Sequence, residues 1–478
     1  MDFGYKKLYL NGELQDACTG DRRPVICPGT EEQVAEIAWA GPADAEAALR
    51  SAQEGFRYWS GLSLKERSDW MSVLRQAVME NEETLRSSVM YEMGKPWEAT
   101  AEDYETVVNA LEWYPQEMKH ARDEILPDVE NTHSHRIVSQ PIGVAAAFLA
   151  WNFPLLNVGF KLGPALAAGC SIILRPSSSS PLSAYQLGEI CRKVDFPRGV
   201  INIICGPSSS VGAAICRSTI PRLVTMIGSS ETGRKLVAQS ATSIKRMSME
   251  LGGNAPAIVF ADADLHTAAQ EIAALKFGNC GQICVAPNRI FVHEAVYAEF
   301  RDLFVGHARQ VRIGFGRESK ATMGPLIDAS ARKRIDGMVQ EAVAQGAALL
   351  CGGKIPAKHA KGFFYEPTVL ERVTREMRVY REEIFGPVGP LISFRDEDDI
   401  IAQANDTEYG LAAYAYTRDA GRAQELGERL EFGDIMINGF KYAIYLPHGG
   451  IKESGIGKDC SHLALDDYLV KKRITVRR

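Results

Sequence analysis

Hydrophobic positions fall into two rhythms along the chain. Between residues 42 and 59 they recur at Ala45, Ala48, Leu49, Ala52 and Phe56. That is the spacing of an amphipathic helix, with Pro42 suited to its first turn. Further helical stretches are predicted over 64–93 and 97–119, the latter with Val107, Val108, Leu111 and Tyr114 on one side. On this reading the first hundred residues are helical. The rhythm then changes. Short apolar runs at 143–150, 171–174, 199–204, 223–227 and 257–260 read as buried strands, with helix-like segments at 159–168, 181–193 and 211–216 between most of them. Buried strands alternating with helices predict βαβ units and a parallel sheet. Ligands on such a sheet bind beyond the carboxyl ends of its strands. A second α/β stretch follows, with helices predicted over 265–278, 295–311, 331–345 and 396–405 and strands over 289–292 and 387–394. The tail, 468–478, reads as a strand with a charged edge that could pair with another element or another subunit.

Length and charge narrow the class. At roughly 150 residues per domain, 478 residues predict about three units. The 54 basic and 60 acidic side chains leave a net charge of −6, against the basic excess of a nucleic-acid binder. The ten cysteines are scattered without a CxxC pair, so neither a disulfide framework nor a zinc site is indicated. Free thiols suit a reducing cytosol. The N-terminus lacks an apolar signal core, and the longest clean apolar run, 144–151, is far below the ~18 residues of a membrane span. A soluble cytoplasmic protein with no nucleic-acid or membrane partner is expected.

Three segments carry candidate chemistry. AWNFP at 150–154 follows a predicted strand, so Asn152 is either a hydrogen-bond donor at the sheet's carboxyl end or a turn residue before an X-Pro step. MELGG at 249–253 offers Glu250, whose apolar neighbours fit a partly desolvated general base. The alternative is a surface carboxylate before a Gly-Gly turn. GNCGQICVAPN at 278–288 contains Cys284, a nucleophile if it is accessible and its thiolate is stabilised, or otherwise a buried inert cysteine. Cys280 lies four residues earlier, but spacing alone does not make the two a redox pair. GSSETGRK at 228–235 lacks the Lys-Ser/Thr of a P-loop, and GxGxxG after a strand, GxSxG and HExxH are all absent, so no metal is expected.

These segments occur in one order with KLGPALAAG at 161–169, GSSETG at 228–233, EEIFGPV at 382–388 and GGIKESGIG at 449–457. Together they resemble the aldehyde dehydrogenase superfamily over nearly the whole chain. The resemblance implies an α/β fold. A Rossmann-like parallel-sheet cofactor domain would cover 1–119 and 139–253, and a second α/β catalytic domain 254–440. A small β oligomerisation element would use 120–138 and 460–478, and 441–459 would return near the active site. Such proteins are homodimers or homotetramers. By the same resemblance Cys284 attacks an aldehyde carbon, Asn152 and the Cys284 N–H stabilise the oxyanion, and Glu250 activates the water that hydrolyses the thioester. The cofactor is NADP or NAD. Trp151 would meet its nicotinamide end, and Gly228 and Ser229 would offer helix N–H groups to phosphate. Glu383 would hold the nicotinamide ribose and Phe385 would pack on the ring.

Departures from the family pattern carry the finer expectations. Arg175 replaces the usual Lys before proline, and Ser178 stands where NAD-preferring members often carry Glu. Serine removes a carboxylate that repels a 2′-phosphate, and arginine can grip phosphate bidentately, so NADP or dual use is favoured. The similar succinate-semialdehyde branch has arginines where Phe160 and Gly278 stand here. A buried substrate carboxylate without such partners carries a cost of several kcal/mol. A neutral aldehyde, aromatic or hydroxylated, is therefore expected, in a pocket of Asn157, Phe160, Ile283, Val285, Tyr442, Tyr445 and His448. His448 replaces a frequent Phe, and is either a pocket residue or a loop residue touching no substrate. Two alternatives remain at this level, a CoA-acylating enzyme and a non-catalytic ligand-binding protein. Glu250 favours water over CoA as the acyl acceptor.

Overall fold

The apolar runs of the first half assemble side by side in a computed structural model, which describes residues 1–120 and 123–478. The predicted bridging segment 120–138 thus includes two positions, 121–122, outside the described residues. An eight-stranded sheet runs in the order Gly455–Ile456, Arg246–Glu250, Pro221–Ile227, Val144–Phe148, Ser171–Arg175, Ile201–Ile203, Leu8–Leu10, Glu13–Gln15. The pairings among its five central strands are all parallel. Val144–Phe148 and Ser171–Arg175 are buried at every position, which is why they read as unbroken apolar runs rather than alternating ones. Helices Pro154–Ala168 and Leu182–Lys193 supply the crossovers.

The helical reading of the first hundred residues fails before Pro42. Five short strands lie there, from Tyr5–Lys6 to Gln33–Ala38. Each has two to six residues. They are held by ladder partners rather than by a pattern of their own, so periodicity does not detect them. The predicted helix over 64–93 is two helices, Leu64–Glu80 and Glu82–Met93. They are broken at Asn81, whose Nδ2 donates to the Ala77 carbonyl at 2.7 Å. The segment 211–216 forms Ala213–Arg217 after a turn of π-helix.

A seven-stranded sheet follows, in the order Ala348–Cys351, Thr368–Glu371, Val388–Phe394, Pro287–His293, Ala255–Val259, Ala412–Tyr416, Asp434–Ile437. Two of these strands match the predicted ones at 289–292 and 387–394, and the 257–260 run supplies a third. The tail strand Leu469–Arg477 pairs antiparallel with His133–Pro141, which also pairs with Glu124–Leu126 in a separate three-stranded sheet. The charged-edged tail therefore does pair with another element. Two apolar cores form, one around the first sheet and one around the second.

Lys161, fully buried on the helix Pro154–Ala168, donates to Asp459 at 2.6 Å and 2.8 Å. Asp459 in turn exchanges backbone hydrogen bonds with His448 at 2.6 Å and 2.7 Å. Breaking a buried ion pair strands a charge at about 3–5 kcal/mol. Lys161→Met should therefore lower the thermal midpoint, and the double variant with Asp459→Leu should recover much of the loss. Equal destabilisation by the single and double variants would show that the pair does not hold this loop.

Candidate active site

The carboxyl ends of the parallel strands deliver the candidate residues. Val144–Phe148 leads into Asn152, Pro221–Ile227 into Gly228, and Arg246–Glu250 ends on Glu250 itself. Glu250 is 4% exposed and its Oε1 has no hydrogen-bond partner, so the surface-carboxylate alternative does not describe it. Cys284 arrives differently. After the helix Leu265–Phe277 the chain takes three left-handed residues, Asn279, Cys280 and Gly281. A Cβ at Gly281 would lie 2.1 Å from the Gly386 carbonyl oxygen, so only glycine fits this turn. Gln282 then locks the loop. Its Nε2 donates to the carbonyls of Asn279 and Pro325 at 3.0 Å and 3.3 Å, and its Oε1 accepts the Ile327 N–H at 2.9 Å. Asn152 Nδ2 donates to the Gln282 carbonyl at 3.1 Å, tying the sheet's end to the cysteine loop.

Two cavities meet at Cys284. One of about 870 Å³ and one of about 1040 Å³ share Asn152, Ile227, Glu250 and Cys284 among their lining residues. Cys284 is partly exposed to them. Cys280 is fully buried, lines neither cavity, and has its thiol pushed up by burial. The full burial of the inert-cysteine alternative is found at Cys280 and not at Cys284.

His448 completes the cluster. Its Nδ1–H donates to the Asp434 carboxylate at 2.8 Å, and its Nε2 lies 3.6 Å from Glu250 Oε1. Cys284 Sγ, a Glu250 oxygen and a His448 ring nitrogen all lie within 4.8 Å of one another. Burial, then the charge of Glu250, push the Cys284 thiol well above its ordinary range, with His448 pulling the other way. Burial opposes the His448 imidazolium, but the hydrogen bond to Asp434, the nearby Cys284 and Glu250 side chains and the charge of Glu250 outweigh it and hold the ring well above the usual histidine range.

The smaller cavity is lined by every residue expected at a dinucleotide: Trp151, Arg175, Ser178, Gly228, Ser229, Glu383 and Phe385. The rings of Trp151 and Phe385 meet edge to face at 5.3 Å. Ser229 caps the helix Ser230–Ser240, accepting the Thr232 N–H at 3.3 Å. The helix's first N–H groups thus face an anion-sized space. Glu383 accepts the Gly253 N–H at 2.9 Å, and burial pushes its carboxyl up to about 7. Arg175 lines the cavity with part of its guanidinium already engaged. It is 8% exposed, and a terminal nitrogen already donates to the Gly206 carbonyl at 2.7 Å and Ser208 Oγ at 2.8 Å. That nitrogen is spent on the loop, while Nε has no hydrogen-bond partner, so the charge lines the cavity with one part of its guanidinium engaged.

The larger cavity is lined by Asn157, Phe160, Gly278, Ile283, Val285, Tyr442, Tyr445 and His448. Asn157 also donates to the Ala150 carbonyl at 3.1 Å, bracing the turn before Trp151. Glu98, Glu102, Glu105 and Glu112 line this cavity, and among the described residues no arginine does. Lys95 is tied to Asp103 at 2.6 Å. Asp434 and Gln282 were not singled out in the sequence. Gln282 lies inside the conspicuous cysteine segment, but Asp434 starts a strand that periodicity does not reveal.

Residues 15–474 match the sequence profile of the aldehyde dehydrogenase family. The chain belongs to that family. It is 38% identical to the NADP(+) succinate-semialdehyde dehydrogenase GabD of Escherichia coli, covering 98% of this chain and 97% of that one. It is 38% identical to the glutarate-semialdehyde dehydrogenase of Pseudomonas putida strain KT2440, covering 98% of each. Among solved structures, betaine aldehyde dehydrogenase of Staphylococcus aureus in complex with NAD+ superposes with a TM-score of 0.95 at 31% identity, covering 98% of this chain and 94% of that one. This aldehyde dehydrogenase is accordingly an oxidoreductase with the Rossmann-like α/β fold of its family. Among the described residues no helix is long and apolar enough to cross a membrane.

Proposed function

We propose that this aldehyde dehydrogenase converts a neutral aldehyde to its carboxylic acid with NADP or NAD, through a thioester on Cys284. The observation that carries the reading is the position of Cys284 at the junction of the two cavities, with Asn152 and Glu250 lining both. Cys284 Sγ attacks the aldehyde carbon from the larger cavity. The Asn152 amide and the Cys284 N–H stabilise the oxyanion that develops. When bound, the dinucleotide supplies the hydride acceptor, and Trp151, Glu383 and Phe385 would hold its nicotinamide end. Glu250, buried beside the sulfur, then takes a proton from the water that hydrolyses the thioester. The same carboxylate favours hydrolysis over transfer to CoA. A ligand-binding role alone would leave the convergence of these three groups without a use. Asn152→Ala should lower kcat by about 10²–10³ with little change in KM. An unchanged kcat would remove Asn152 from the oxyanion site.

The cofactor preference rests on Ser178 and on the Arg175 charge in the smaller cavity. Ser178→Glu should raise KM for NADP+ by about tenfold, the size of a ~1.4 kcal/mol repulsion, and leave NAD+ use intact. Strict NAD+ dependence of the parent enzyme would contradict the lean. The neutral substrate rests on a cavity that no arginine lines among the described residues, with Glu98, Glu102, Glu105 and Glu112 against Lys95, which Asp103 binds, and Lys441. A panel of aldehydes assayed with each cofactor tests it, and a marked preference for succinate semialdehyde would overturn it. The three-stranded sheet carries Ile125 at 81% exposure, and the turn between two of its strands carries Val129 at 96%, which supports a subunit-bridging role in a homodimer or homotetramer. Light scattering of the purified protein would show a monomer if that role is wrong.

A further inference from the structure

The thioester reading leaves the thiol proton unassigned, and the residues around His448 bear on it. Cys284 faces a buried glutamate, so its thiolate forms against an anion. Something positive must stand opposite the sulfur. The cavity that Cys284 lines also has Ile283, Val285 and the ring of Phe160, none of which can carry a positive charge. The one imidazole within reach is His448, buried at 8% exposure. Its ring is fixed on three sides. Asp434 binds Nδ1, Tyr442 meets the ring edge to face at 5.7 Å, and Phe160 packs at 6.2 Å. A carboxylate on Nδ1–H commits that nitrogen as a donor and turns Nε2 toward Cys284 and Glu250.

We propose that His448, oriented by Asp434, is a catalytic residue that takes the proton of the Cys284 thiol and stands as the cation beside the attacking sulfur. The proposal rests on the thioester reading and deepens it. In the step, which starts once the pair holds a single proton and Nε2 is free, the S–H bond breaks, its electron pair stays on Sγ, and the proton moves to Nε2. The resulting thiolate–imidazolium pair attacks the aldehyde carbon as the carbonyl π pair moves to oxygen. The arrangement of nucleophile, imidazole and orienting carboxylate is the general one for an activated nucleophile. It leaves Glu250 free for water. Asp434 is a positioning residue, since it acts through the ring.

The pH dependence belongs to the pair rather than to either group. With both protonated, Cys284 is a thiol beside an imidazolium and is unreactive. Loss of one proton gives the reactive pair. Other titratable groups face the ring. Glu250 and Asp434 favour its cation. Asp459, neutralised by its bond to Lys161, and the Cys460 thiol lie behind it. Tyr414 and Tyr442 complete the wall, their hydroxyls 2.6 Å apart.

The test is the rate of Cys284 alkylation by iodoacetamide across pH, followed by peptide mass mapping, on the intact enzyme without aldehyde. His448→Phe should raise the apparent pKa of alkylation by at least about one unit, a tenfold fall in rate on the rising limb. Phenylalanine keeps a ring of similar size against Phe160 and Tyr442, so the variant should fold. His448→Gln, which keeps a hydrogen bond but no basic nitrogen, should behave like His448→Phe. Asp434→Asn should lower the alkylation plateau. Glu250→Gln, which removes the opposing anion, should alkylate at least as fast as the parent. The proposal is overturned if His448→Phe keeps the parent profile, or if Glu250→Gln alone slows alkylation. Because no aldehyde is present, a parent enzyme that oxidises none would defeat the thioester reading while the alkylation series still decides the role of His448.

Discussion

Cys284→Ser should abolish aldehyde oxidation, with a fall in kcat of about 10⁴-fold or more. The size follows from the work asked of the sulfur. A serine hydroxyl is far less acidic than a thiol, and neither Glu250 nor His448 is placed to ionise it fully. The loss should be purely chemical. Sγ lies at the shared end of the two cavities, whereas the dinucleotide-lining residues belong to the sheet ends and the helix Ser230–Ser240. Dissociation constants for NADP+ and NAD+, followed by quenching of Trp151, should therefore stay within about twofold of the parent, a change of ~0.4 kcal/mol. Cys280→Ser is the matching control. Its side chain is sealed in the second core, so its activity should persist at any temperature where it stays folded. Turnover surviving in Cys284→Ser, or lost equally in Cys280→Ser, would place the chemistry elsewhere.

Glu250→Gln should separate the two halves of the reaction. The first half, attack and hydride loss, uses Cys284, His448 and Asn152. The second needs a base for water. The variant should release about one reduced cofactor per site in a rapid burst and then turn over about 10²–10⁴-fold more slowly. Glu250 Oε1 is buried without a hydrogen-bond partner, so a neutral amide of equal size can occupy the space. Uniform slowing without a burst would mean that Glu250 acts before the thioester forms.

Much of this site is legible in the chain because its parts lie at the ends of strongly patterned elements. Asn152 and Gly228 each follow an apolar run, and a buried parallel strand is easy to recognise, whereas Glu250 ends the mixed strand Arg246–Glu250 and stands out by its Gly-Gly neighbours. Cys284 is conspicuous in a glycine-rich segment after a helix. What sequence pattern misses is held from outside. Asp434–Ile437 opens with an acid, and Ala412–Tyr416, sequence AAYAY, lacks β-branched residues; both are strands because of their parallel ladders. The partner of His448 was therefore hidden although only fourteen positions separate it from Asp434. The partners of the Arg175 guanidinium were hidden for a related reason. Its loop neighbours Gly206 and Ser208, which occupy it, come close only after the sheet has formed.

The most direct measurement is acid-trapping of Glu250→Gln after one turnover with an isotopically labelled aldehyde, followed by peptide mapping by mass spectrometry. The account predicts about one labelled acyl group per site, carried on the peptide containing Cys284 and released by hydroxylamine as a thioester. Label on another residue, or a full burst of reduced cofactor with no covalent label, would contradict it.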